Sequence, residues 1–176
     1  MRTPAYVAAV TLVFVLTAPA SFGQMAPKPI TPADYNFIFQ AAYGGWGEVL
    51  AGHLAPQRST NPAVLQAASM MVADHTQANQ ELAPLATARG ITPPTGPDSG
   101  RLGAVNIMQP MTGPIFDVAY LQEQTADHVV GIALFQSEAQ SSLDPELRAF
   151  AQKYLPVIQR HYETLRSLMT SMASAR

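Results

Sequence analysis

At the head of each long stretch of helical spacing in this chain, a residue able to cap a helix stands just ahead of a proline: Thr31-Pro32, Asn61-Pro62, Thr112-Gly113-Pro114 and Asp144-Pro145. A side-chain oxygen at the cap satisfies the free N–H groups of a first helical turn, and proline fits that turn because the N–H it lacks would have had no partner there. The device therefore marks four helix starts. Helix one runs from Thr31, with Asp34 in its first turn, to about Gln57. Helix two opens at Asn61 and closes at Arg89-Gly90, with a cation in the last turn and glycine after it. Helix three runs from Thr112 to about Ser142, and helix four from Asp144 towards Met172. Pro84 and Pro156 fall inside helices and predict bends. From Ile91 to Gly113 the chain holds Pro93, Pro94, Pro97, Pro110, Gly96, Gly100 and Gly103, a composition that predicts one long irregular connection. No stretch alternates as a strand would. The expected fold is all-α, a four-helix bundle over residues 31–173 made of two helical hairpins joined by the Pro/Gly-rich loop.

The residues ahead of the first cap carry an address. Met1 to Gln24 begin with Arg2, run apolar from Ala5 to Leu16 and close on Ala18-Pro19-Ala20, the layout of a secretory signal peptide. The apolar run is shorter than the ~20 residues a spanning helix needs, so cleavage is favoured over a retained anchor. The expected signal is residues 1–20, with cleavage as late as residue 23 also compatible with the small-residue closure. Export to the periplasm or outer envelope, without strong membrane insertion after cleavage, is the corresponding expectation for location. Cleavage after Ala20 leaves 156 residues and a net charge of -3. With 12 acidic against 10 basic residues, the chain offers no field for nucleic acid or anionic lipid. It has no cysteine, so it has no disulfides, thiolate metal site or cysteine nucleophile, and any metal ligands must be histidines and carboxylates.

Three of the four histidines lie on apolar stripes. His75 stands four residues after Met71 and seven before Leu82; His128 stands seven from both Leu121 and Phe135; His161 stands seven from both Tyr154 and Leu168. All three are expected to point inward, whereas His53, near the end of helix one, reads as structural. Their heights agree too. At about 1.5 Å per residue, His128 lies about 21 Å from the turn after helix three and His161 about 24 Å from the start of helix four. His75 lies about 20 Å above the first hairpin turn, opposite Gly44 and Gly45, with Glu48 about one turn below. Ala41, Gly45, Glu48 and Gly52 form a stripe of small groups from which Glu48 can turn inward as the nearest carboxylate.

Buried imidazoles left without partners cost about 1 to 3 kcal/mol each, and a helical core offers few free backbone groups. His75, His128, His161 and Glu48 suit one divalent transition metal ion, such as iron, zinc, manganese or copper, and they equally suit a wet polar cluster without an ion. Binding would weaken as pH falls through the free-histidine range near ~6.5. Asp74 and Asp127 each precede an inward histidine but point about 100° away, which reads as solvated flank, with contact across helices as the alternative. Asp117 reads as an acid interacting with the helix dipole, and Glu138 lies too far along its helix to share the ion. No Gly-x-Ser-x-Gly or His-Glu-x-x-His motif is present. The Glu-x-x-His pairs of di-iron bundles are missing as well: Val72, Thr125 and Ile158 stand three residues before the inward histidines.

The run Phe37 to Glu48, then Met71-Val72-Ala73-Asp74-His75-Thr76, then Phe116-Asp117-Val118-Ala119-Tyr120-Leu121 with His128, and finally Leu155-Pro156 with His161 together resemble the exported bacterial family called domain of unknown function 4142. The likeness extends from about Thr31 to Leu168 and includes Glu48, Asp74, His75, Asp117, Tyr120, His128, Leu155, Pro156 and His161. It implies a ferritin-like four-helix bundle in the periplasm or outer envelope and no particular reaction. Two functions stay open at this level: a metal-binding envelope protein, and a non-catalytic bundle that meets envelope partners, with the Pro/Gly loop as a contact.

Overall fold

The computed structural model describes residues 28–174; the expected signal peptide lies outside them. The chain forms α1 (Pro32–Arg58), α2 (Pro62–Thr87), α3 (Ser99–Met108), α4 (Gly113–Ser141) and α5 (Pro145–Ser174), with no strand among the described residues. The caps work largely as their chemistry requires. Thr31 accepts from the Asp34 N–H while Asp34 accepts from the Thr31 N–H, a reciprocal capping box. Asn61 accepts from the Ala63 N–H, and Asp144 Oδ1 accepts from the N–H groups of Glu146 and Leu147. Thr112 makes no side-chain cap bond. There the turn into α4 rests on Gly113, whose φ of 58° lies in the left-handed region that a side chain disfavours.

Among the described residues there are five helices, not four, and α3 corrects the expectation of a loop from Ile91 to Gly113. Pro93, Pro94 and Pro97 precede α3 and Pro110 follows it, so the prolines bound this helix without entering it. Asp98 caps it by accepting from the Arg101 N–H, and its other oxygen pairs with the Arg101 guanidinium at 2.5 Å. Gly100 and Gly103 each disfavour helix by about 1 kcal/mol relative to alanine. Val105 and Met108 offset that cost by burying against the core.

α1 pairs with α2 and α4 with α5; the two hairpins meet through α1 against α4 and α2 against α5, while α3 lies across the α1 and α4 side. The interior is layered. One apolar cluster, including Phe37, Leu82, Phe135 and Phe150, fills the end where α1 and α5 begin. A second, including Leu54, Val64, Met71, Phe116 and Leu165, fills the opposite end. Between them, at mid-helix on α1, α2, α4 and α5, lie Glu48, His75, His128 and His161. The hairpins are also tied at one end by Arg89, whose buried guanidinium pairs with Asp144 and also reaches Glu146 at 3.1 Å. No described helix is long and apolar enough to cross a membrane.

Candidate metal centre

The heptad spacing that placed His75, His128 and His161 on apolar stripes brings three rings from three helices to one level. Their centroids form a nearly equilateral triangle with sides of 5.4, 5.4 and 5.5 Å, and one ring nitrogen of each lies within 4.8 Å of the others. His128 and His161 are buried, His75 is half-buried, and His53 is exposed and apart from them.

Hydrogen bonding fixes which nitrogens carry protons. His128 Nδ1 lies 2.8 Å from the Gln124 carbonyl oxygen, which can only accept, so Nδ1 carries the hydrogen and Nε2 keeps its lone pair. His161 Nε2 lies 2.8 Å from Asp74 Oδ2, so in the neutral ring Nδ1 keeps the lone pair. These two lone-pair nitrogens, His128 Nε2 and His161 Nδ1, face each other at 3.3 Å. His75 Nε2 is buried beside them without a partner. Two facing lone pairs repel unless a cation lies between them. Tetrahedral zinc with bonds of about 2.0–2.1 Å sets neighbouring nitrogens about 3.3–3.4 Å apart, which is the separation already present in this pair.

All three rings favour the neutral form that a metal requires. Burial pushes His75 well below the usual histidine range, and the neighbouring rings of His128 and His161 push it further. Burial also takes His128 down to about 4, against the opposing bond to Gln124. Burial lowers His161 in spite of Asp74. Proton competition therefore sets in below the free-histidine range, lower than sequence alone suggests.

Glu48 is buried as expected, but its place differs from the expectation. Its Oε1 lies 3.4 Å from His128 Nδ1, the edge of that ring away from the converging nitrogens. The carboxylate nearest the cluster is Asp74, bonded to His161 across the α2 and α5 seam. Residues adjacent on a helix diverge by about 100°, so Asp74 turns away from His75 and thereby towards a different helix. Burial, with Asp127 adding to it, pushes the Glu48 carboxyl well above the ordinary range. The glycines opposite α2 also serve neighbours other than the one expected. A Cβ on Gly45 would stand 2.6 Å from Asn79 Oδ1, and Gly44 faces the Arg101 guanidinium, so α1 thins here for Asn79 and Arg101.

Asp127 is no free flank either, since Arg101 Nε approaches it at 3.4 Å. The sequence signal for Arg101 is its spacing from Asp98, masked by the prolines and glycines around α3. Asp117 is buried early in α4, and Glu138 belongs to the far end of the bundle beside Asp34 and Ser142. The histidines open on a cavity of about 390 Å³ that runs between all four long helices and is otherwise mostly apolar.

An all-helical protein with three neutral imidazoles converging on one buried point is a candidate single-ion binder. The sequence matches the family described as Domain of unknown function (DUF4142) over residues 19–168, and the chain belongs to that family. No curated protein and no solved structure gives a match.

Proposed function

We propose that this is an exported protein of the bacterial envelope, a ferritin-like four-helix bundle with an added short helix, that holds one divalent transition metal ion on His75, His128 and His161. The observation that carries the reading is the pair of lone-pair nitrogens 3.3 Å apart with the unpartnered His75 Nε2 beside them. Iron, zinc, manganese and copper all accept imidazole, and the ligand set alone does not order them. Glu48 stands behind His128, where it supports the ring. Asp74 orients His161 through its outer nitrogen, as carboxylates do for metal-bound histidines. Export rests on the Met1 to Gln24 pattern. Three ligands on a single ion, without bridging carboxylates, support storage, buffering or sensing of the ion over two-metal oxidation.

The test is calorimetric titration of tag-free protein with each of the four ions. Binding of one equivalent that His128→Ala abolishes and His53→Ala spares is the expected result. If no ion binds more tightly than about millimolar, roughly -4 kcal/mol, a proton occupies the pair in place of a metal. The histidines are then a polar layer of a structural or interaction protein of the envelope.

A further inference from the structure

The cavity extends well beyond the histidines. Its lining reaches into the first apolar cluster, a chamber of Leu82, Leu134, Phe135, Phe150, Val157 and Ile158 with Tyr154 beside them, and also includes the exposed Val130 and Asn36. An ion on three imidazoles has a coordination position left open. The carboxylates nearby are turned elsewhere: Asp74 to His161, Asp127 to Arg101, and Glu48 to the far edge of the His128 ring. A divalent ion held by neutral ligands with a free position attracts an anion.

A second feature points the same way. Asn79 is only 7% exposed and lines this cavity, yet its Nδ2 donor has no partner. It stands four residues after His75, so the two side chains start about 5–6 Å apart on one helix face. An unsatisfied buried donor beside an open metal position is suited to the second oxygen of a ligand whose first oxygen lies on the ion.

Building on the metal reading above, we infer that the site takes a small monocarboxylate with an apolar body, its head between the ion and Asn79 and its body in the chamber. Octanoate serves as probe, with acetate supplying the head alone and 1-octanol the body without the charge. Cobalt(II) is titrated first, and its visible absorption then reports changes at the ion. Octanoate should shift the cobalt band at least tenfold lower in concentration than acetate, and 1-octanol should leave it in place. Filling the chamber with Leu134→Trp or, should that variant fold poorly, Ala78→Phe should raise the octanoate requirement to that of acetate with cobalt affinity unchanged. Asn79→Ala should weaken octanoate and acetate alike. Equal concentrations of the two anions, or octanoate bound equally well without cobalt, would overturn the inference. Failure of cobalt itself to bind is read in the first titration, and it overturns the metal reading and this inference with it.

Discussion

Asp74 commits one oxygen to His161 Nε2 and so leaves Nδ1 as the only nitrogen of that ring free to bind an ion. Asp74→Asn keeps the shape and loses the charge that fixes this choice. We expect zinc affinity to fall about 10- to 100-fold with little change in melting temperature, a combination calorimetry and thermal denaturation can separate. An unchanged affinity would mean that Asp74 does not orient the ring. The three inward histidines were legible in the sequence because heptad spacing fixes both face and height. Asp74 was not, because its role depends on the distance between α2 and α5, which no pattern along one helix contains. The small-residue stripe makes the inward, buried place of Glu48 legible, but whether it meets the inner or outer edge of the His128 ring depends on rotamers at a packed interface.

At the scale of elements, the ends of the long helices were the most readable feature, since capping and proline chemistry act within a few residues. α3 was hidden by its glycines and flanking prolines, and its stability comes from Val105 and Met108 meeting residues far away in sequence. Its presence divides the 91–113 connection into two short irregular stretches, the places where a protease can reach extended backbone. Limited digestion followed by mass spectrometry should cut between 91 and 98 or between 109 and 112 and spare 99–108. Dominant cuts inside α3 would show that it is not held against α1 and α4. The C-terminal end of α2 is tied to the start of α5 by Arg89, and Arg89→Ala leaves the buried side of Asp144 uncompensated. Urea denaturation should show a loss of about 3 kcal/mol. A loss under about 0.5 kcal/mol would place this pair with ordinary surface bridges.

Over the whole molecule, buried groups make stability depend on pH in opposite senses: His75, His128 and His161 are lowered, and Glu48 and Glu138 are raised. His128, lowered to about 4, stays neutral in the native state while the unfolded chain protonates near ~6.5. Its contribution is complete above that range and is lost as pH falls towards 4. Glu138, raised to about 7 by burial and then by the Asp34 charge, holds its proton in the native state from the ordinary glutamate range upward. Its contribution is present at low pH and is lost as pH rises through 7. In the metal-free protein the two slopes oppose each other between about 4.5 and 6.5. Glu138→Gln removes the Glu138 contribution, so the variant should gain on the parent as pH rises across that window and exceed it at pH 8 by about 2 kcal/mol. Denaturant titrations at pH 5, 6.5 and 8 test this, and parallel curves for the two proteins would refute the Glu138 assignment.

The proposed ligands are divided between the halves of the fold: His75 belongs to the α1 and α2 hairpin, and His128 and His161 to the α4 and α5 hairpin. Covalent continuity between these halves runs only through residues 88–112. If that tether is severed ahead of Asp98, the molecule becomes a heterodimer, and the high effective concentration the tether supplied is lost. The ion would then act as an adhesive between two polypeptides, and its concentration would decide how much of the protein exists as a pair.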